Sequence, residues 1–138
     1  NFWAAPFEMQ NEFGGLGMAA QSAFNPGETP VFKGGERQAT VIAIVATNAA
    51  LDKGQANRFA VAAHDGIARA VYPSHTPMDG DIVFSAATGE QPLSDPVSQS
   101  LLLGHAAALC LSRAIARGVY EATPAAQDVL PSWGQKHG

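Results

Sequence analysis

Thr40 is the residue whose position first suggests chemistry. It separates residues 18–38, rich in Gly, Pro, Asn, Ser and Glu, from the apolar run at 41–46. If the Ala39–Thr40 bond were cut, Thr40 would carry a free α-amine beside its own hydroxyl. An α-amine titrates near neutrality, so it could accept the hydroxyl proton, and one residue would supply both nucleophile and base. Judged by position alone, a Thr that simply begins a strand remains an open alternative.

A second candidate for chemistry is the pair of carboxylates in Asp79-Gly80-Asp81, at the entrance to the apolar run 82–87. In an extended segment, residues two apart point to the same side, so the pair could orient a nucleophile or share a proton. An ordinary Asp-Gly turn is the alternative. His75 lies four residues before Asp79, which allows a metal hypothesis. Three ligands from one loop with no second cluster disfavour it, and no metal is expected.

The other titratable candidates are predicted to be structural. His64 is expected to be half-buried in a helix, and His105 to lie on the inner stripe of another. Cys110, the single cysteine, stands in an Ala/Leu-rich helical run, which predicts a buried and unreactive thiol. His137 lies in the tail and is expected to be solvated.

Two strands and two helices are predicted to position these residues. The run 41–46 is apolar throughout and rich in β-branched residues, which is typical of a strand covered on both faces. Asp52, followed by Gln55 three residues later, predicts a capping box and a first helix that ends before Pro73. Residues 82–87 predict the second strand, which we expect to end at Gly89.

The second helix is predicted to begin at Asp95-Pro96 and to run to about residue 121. Its predicted inner stripe comprises Val97, Leu101, Leu102, His105, Leu109, Ser112 and Ile115. The order strand–helix–strand–helix, preceded by a long loop, indicates an α/β fold. Residues 1–6 are expected to end a strand, residues 12–17 (EFGGLG) to form a turn, and residues 123–138 to form surface coil.

Composition excludes several classes of protein. Apolar residues make up 46% and charged residues 14%, which excludes a disordered tail and leaves room for an apolar face covered by another chain. The net charge of −4 and the eight scattered Lys and Arg residues argue against a nucleic-acid partner. The most apolar stretch, 101–111, is too short to span a membrane, so no membrane partner is expected.

Residues 39–89 resemble the P1 peptidase family, the L-aminopeptidase/D-esterases of peptidase family S58 (DmpA-like). This group also contains β-aminopeptidases and nylon-oligomer endo-hydrolases. The most specific segments are VATNAAL after a Thr, AHDGIARA and HTPMDGD. The upstream FWAAPFEMQNEFGGLG and the tail residues 116–133 are also similar to the family.

The resemblance implies a precursor that cuts itself before a Ser or Thr, which then heads the β-chain and acts as the nucleophile. The matching position is Thr40, with cleavage at Ala39–Thr40. Asp79 and Asp81 match the acidic pair of the nylon-hydrolase branch. Residues 1–39 would be the end of the α-chain and the cleavage linker, and residues 40–138 the β-chain. The implied fold is part of an αββα sandwich, as in ornithine acetyltransferase-like proteins, with no cofactor.

Two departures from the family pattern affect these expectations. Ala39 stands where Asn or Gly is common. The oxyanion-stabilising Asn lies further upstream, so no residue here is assigned that role, and we expect the chain to be an incomplete, inactive fragment. Implied partners are a short peptide, amino-acid amide or ester as substrate, the rest of the precursor, and further αβ units in a homo-oligomer. A glutamate N-acetyltransferase-like acyl transferase and an inactive assembly subunit are the alternatives.

Overall fold

A computed structural model describes residues 1–18 and 40–138 of the chain. A short 3-10 helix, Ala5–Phe7, is followed by β1 (Ile42–Ala49), α1 (Lys53–Ala70), β2 (Ile82–Gln91), α2 (Pro96–Tyr120) and α3 (Trp133–His137). The predicted order strand–helix–strand–helix and the α/β class are therefore confirmed. The chain start is not a strand, and the tail contains the short helix α3, so both of those predictions are wrong in detail.

β1 and β2 form a two-stranded parallel sheet in which Ile42 pairs with Ile82 and Thr47 with Ala87. Both strands are longer than predicted. β2 continues past Gly89, whose φ of 79° lies in the left-handed region that glycine adopts without strain. The register shifts at this point, as expected for a bulge.

The two faces of this sheet differ in burial. Val45 and Val83 point toward the helices and are 8% and 7% exposed. On the opposite face, Ile42, Ile44 and Phe84 are 72%, 67% and 54% exposed. The prediction that β1 is covered on both faces is therefore wrong for the described chain. Among the described residues, only the face toward α1 and α2 is covered, and the outward face of the apolar run is exposed.

α1 begins as its sequence predicts. The Gln55 N–H donates to Asp52 Oδ1 at 2.7 Å, and the Asp52 N–H donates back to Gln55 Oε1 at 2.9 Å. This capping box satisfies two backbone donors that the first helical turn leaves free. Phe59, Ala63 and Ile67 then bury one face of α1 against the sheet and α2.

The predicted inner stripe of α2 is wrong for most of its members. Val97, Leu101 and Leu102 are exposed, and so is His105. Small residues face α1 instead, and the buried residues of the helix are Gly104, Ala107, Ala108, Leu111, Ser112 and Ala116.

Close approach of the two helices explains this difference. A Cβ on Gly66 of α1 would lie 2.5 Å from the carbonyl oxygen of Ala108 on α2. At that separation only glycine fits on α1, and the residues of α2 that face it are small apart from Leu111. Leu101 and Leu102 lie on the outer side of α2, where they are exposed in the described part of the chain.

α2 also corrects the expectation that no segment is long enough to span a membrane. Its 25 residues are sufficient by length and composition, although the core helix of a soluble protein meets the same criterion. Part of the helix is buried against α1. Cys110 lies on an exposed side of α2, so the prediction of a buried thiol is wrong.

The N-terminal segment, residues 1–18, packs on the C-terminal half of α2. Phe13 and Ala4 are fully buried there with Ala116. The Arg113 guanidinium donates to both carboxylate oxygens of Glu12, with Nη2 at 3.0 Å from Oε2. This bidentate pair lowers the pKa of Glu12 below its ordinary value.

Candidate active site

Thr40 lies at the entrance to β1, two residues before its first residue, and its side chain is exposed. The backbone just after it is fixed by the sheet, because the Ile82 N–H donates to the carbonyl oxygen of Val41 at 2.9 Å. Ala39, the other side of the expected cleavage site, lies outside the described residues. Thr40 is therefore a surface residue with an anchored C-terminal neighbour, as a nucleophile at a chain start would require.

Asp81 is a buried acidic residue that is hydrogen-bonded to the backbone at this entrance. Its side chain is only 1% exposed. Oδ1 accepts the backbone N–H of Val41 at 3.0 Å, and Oδ2 accepts the backbone N–H of His75 at 3.1 Å. The carboxylate thus joins the peptide that follows Thr40 to the loop that precedes β2.

Asp79 has a different role in the same loop. Its Oδ2 accepts the backbone N–H of Thr76 at 3.0 Å, and its own N–H donates to the Thr76 carbonyl at 2.9 Å. These reciprocal bonds close the turn 76–79. Asp79 and Asp81 are therefore near neighbours whose described hydrogen bonds run to different partners.

Gly80, between the two aspartates, lies directly against the Thr40 side chain. A Cβ on Gly80 would be 3.2 Å from Thr40 Oγ1 and 3.5 Å from Thr40 Cγ2. The absence of a side chain here lets the DGD backbone pack against the hydroxyl. The DGD motif draws attention to its two carboxylates, and no local sequence pattern indicates this packing role of Gly80.

His75, which the sequence offers only as a disfavoured metal ligand, lies between Asp81 and α1. Its φ is 54°, a left-handed conformation that is uncommon for a residue other than glycine. Its Nδ1 lies 3.3 Å from Asp81 Oδ2, and its Nε2 lies 3.4 Å from the carbonyl oxygen of His64 on α1. The His64 and His75 rings are 5.2 Å apart between centroids. Both nitrogens of His75 therefore face protein acceptors.

The other three histidines differ in whether they contact His75. His64 is half-buried, as predicted, and contacts His75. His105 is exposed on α2, and His137 is exposed beside Trp133. Within residues 1–18 and 40–138, no three His, Cys, Asp or Glu side chains are grouped so as to hold a metal ion.

This geometry combines an exposed hydroxyl, a buried carboxylate held on the adjacent peptide, and a glycine that leaves room beside the hydroxyl. Such a combination fits a rigidly placed nucleophile at a chain start.

Comparison with known families matches this chain to a family of peptidases. The model of peptidase family S58 matches residues 5–129. This range covers Thr40, both aspartates, all of β1 and β2, and both long helices.

Individual relatives fall into two groups. An uncharacterized aminopeptidase of Mycobacterium tuberculosis is 43% identical over 97 residues, which cover 63% of this chain and 28% of the relative. One from Mycobacterium leprae is 41% identical over 86 residues, 55% of this chain and 24% of the relative. A 6-aminohexanoate-oligomer endohydrolase of Agromyces sp. is 36% identical over 70 residues, 51% of this chain and 19% of the relative. The matched region thus spans less than a third of each of these relatives.

Proposed function

Because the chain belongs to peptidase family S58, we propose that it carries the nucleophile, Thr40, of a self-processing hydrolase. The activity proposed for the whole protein is release of N-terminal residues from short peptides, amino-acid amides or esters. The observation that carries this proposal is the bond from the Val41 N–H to the buried carboxylate of Asp81. It gives the residue after Thr40 a fixed position at the mouth of β1.

The first step is cleavage of the Ala39–Thr40 bond. Thr40 Oγ attacks the carbonyl carbon of Ala39, and the Oγ proton passes to the departing amide nitrogen of Thr40. An ester between Ala39 and Thr40 Oγ results, which water hydrolyses. Thr40 then has a free α-amine beside a free hydroxyl, the arrangement needed for the second reaction.

In substrate hydrolysis, Thr40 Oγ again attacks a carbonyl carbon, now that of a separate molecule. The α-amine of Thr40 accepts the Oγ proton while Oγ attacks the carbonyl carbon of the substrate. The protonated amine then gives this proton to the leaving amine or alcohol, and an acyl ester remains on Thr40. Water, deprotonated by the same amine, attacks the ester and restores the hydroxyl.

The DGD segment is proposed to hold and polarise the nucleophile. Asp81 fixes the Thr40–Val41 peptide, and its negative charge near the chain start favours the ammonium form that arises during attack. Asp79 closes the turn that presents Gly80 to the hydroxyl. Both aspartates therefore orient Thr40, and the α-amine transfers the proton.

Other parts of the precursor are proposed to complete the site. The outward sheet face of Ile42, Ile44 and Phe84 is apolar and more than half exposed, which fits a surface that another layer covers. We assign the oxyanion-stabilising groups to that missing part. A homo-oligomer of αβ units is proposed for the complete protein on the strength of the family resemblance.

Hydrolysis is favoured over acyl transfer to glutamate by the names of the relatives, which are aminopeptidases and endohydrolases. The test uses the full-length precursor with aminoacyl p-nitroanilides, in parallel with acetyl-ornithine plus glutamate. We expect nitroaniline release by the wild type and none above background by Thr40→Ala. Acetylglutamate formation without nitroaniline release would identify the transferase instead. A wild type inactive in both assays would indicate an assembly subunit.

A further inference from the structure

We infer that His75 is a positioning residue for Thr40, acting through Asp81. This inference rests on the proposed function of Thr40 and adds a residue to its site. The connection runs from His75 to Asp81 Oδ2, through the carboxylate to Oδ1, and from Oδ1 to the N–H of Val41.

Both carboxylate oxygens of Asp81 accept hydrogen bonds from the backbone. A buried carboxylate needs hydrogen bonds to its oxygens, since a charge removed from water without partners is costly. Asp81 receives its described bonds from two places, the Val41 N–H and the His75 residue. His75 contributes its backbone N–H at 3.1 Å and offers ring Nδ1 at 3.3 Å to the same oxygen. The direction of the carboxylate therefore depends on His75.

The imidazole ring of His75 lies between two acceptor groups. Nδ1 faces the Asp81 carboxylate and Nε2 faces the carbonyl oxygen of His64, and neither of these groups can donate a proton. A neutral imidazole can donate from only one of its nitrogens, whereas the doubly protonated ring donates from both. A protonated Nδ1 can therefore donate toward Asp81 Oδ2, and this is the ring contact that bears on Thr40. The described titratable groups facing the ring are Asp81 at the head of β2 and His64 on α1.

The backbone of His75 also contributes to the contact with Asp81. The left-handed φ of 54° at His75 turns its N–H toward Asp81 Oδ2 while the ring also reaches the same oxygen. Glycine adopts this φ without strain, and Asn tolerates it better than most residues. Two substitutions therefore separate the contribution of the His75 ring from that of its backbone N–H. His75→Gly keeps the conformation and removes the ring, and His75→Asn keeps an N–H donor near the position of Nδ1.

The experiment compares these two variants with the wild type in the full-length protein. His105→Asn, a substitution of an exposed histidine on α2, is the matched control. We expect His75→Gly to lower kcat about tenfold to a hundredfold, as a small misplacement of a reacting group does, with little change in KM. His75→Asn should recover most of this loss, and His105→Asn should match the wild type.

The split between kcat and KM, together with rescue by a donor side chain, distinguishes positioning from general support of the fold. His75→Asn should match the wild type in melting temperature and KM and should exceed His75→Gly in kcat, because it retains a donor near Asp81. If His75→Gly fails to fold, His75→Asp replaces it, since Asp tolerates the same φ and its ionised side chain has no donor. Wild-type kcat in His75→Gly, or equal kcat in His75→Asn and His75→Asp, would overturn the inference.

The same experiment distinguishes a wrong assignment of Thr40 as the nucleophile from a wrong assignment of His75 as a positioning residue. Thr40→Ala is assayed alongside, and residual hydrolysis by that variant would reject Thr40 as nucleophile whatever His75 does. An inactive Thr40→Ala together with an unaffected His75→Gly would reject the role of His75 alone.

Discussion

The carboxylate of Asp81 accepts the backbone N–H of Val41 at 3.0 Å, although the two residues are forty positions apart in the chain. Their strands pair in parallel, so the two strand entrances lie side by side. This bond places a buried negative charge one peptide away from Thr40.

Removing the charge of Asp81 should impair activity strongly. In Asp81→Asn, the side-chain NH2 group must face the backbone N–H of either Val41 or His75. Two hydrogen-bond donors then point at each other in a buried position. Such a buried unsatisfied group costs about 1–3 kcal/mol. We expect kcat to fall by roughly 10² or more and the melting temperature to decrease. Steady-state kinetics and thermal unfolding measure both, with the exposed Asp65→Asn as control. A variant with wild-type kcat would contradict the role of Asp81.

Adding a methyl group to Gly80 should affect catalysis more than folding. The new Cβ would lie 3.2 Å from Thr40 Oγ1, closer than an ordinary van der Waals contact. We expect Gly80→Ala to lower kcat about tenfold through displacement of the hydroxyl. Gly134→Ala, where a Cβ would meet nothing within 4 Å, is the control. Equal kcat in the two variants would show that the hydroxyl is not confined by this loop.

The two long helices should separate if Gly66 is enlarged. A Cβ there would lie 2.5 Å from the Ala108 carbonyl oxygen, and backbone cannot yield as a side-chain end does. Gly66→Ala should therefore lower the free energy of unfolding by about 1–3 kcal/mol despite the better helix propensity of alanine. Urea unfolding of the full-length protein measures the change. Gly118→Ala on α2, with open space around it, should be neutral or stabilising. A stabilised Gly66→Ala would refute the close packing.

The Glu12–Arg113 pair should make the docking of residues 1–18 depend on pH. The guanidinium lowers the folded-state pKa of Glu12, so the stabilisation is present above the ordinary glutamate pKa and is lost as pH falls through the folded value. At neutral pH we expect Glu12→Gln to be about 0.2–1 kcal/mol less stable than the wild type. The difference should shrink on acidification. Unfolding at pH 7 and in acid, with the exposed Glu90→Gln as control, measures it. A difference that is constant with pH would exclude an ionic contribution.

Sequence was a good guide where structure is decided locally. The capping pair Asp52–Gln55 and the start of α2 at Asp95-Pro96 involve residues within one helical turn, and both predictions are confirmed. The same is true of the β-branched run that forms β1.

Predictions failed where contacts between distant segments decide the outcome. Hydrophobicity pointed Leu101 and Leu102 of α2 inward, but close approach at Gly66 of α1 places mostly small residues of α2 in the contact instead. His75 appeared only as a weak metal candidate, because its bonds to Asp81 and His64 depend on how the loop lies over α1. No local pattern indicates the left-handed φ of His75.

Self-cleavage of the precursor tests the central claim most directly. Full-length protein is purified and its chains are identified by intact mass and by N-terminal sequencing, with Thr40→Ala processed in parallel. The account predicts a new chain that begins at Thr40 in the wild type, and an uncut precursor for Thr40→Ala. Cleavage at another bond, or cleavage of Thr40→Ala at the same bond, would contradict it.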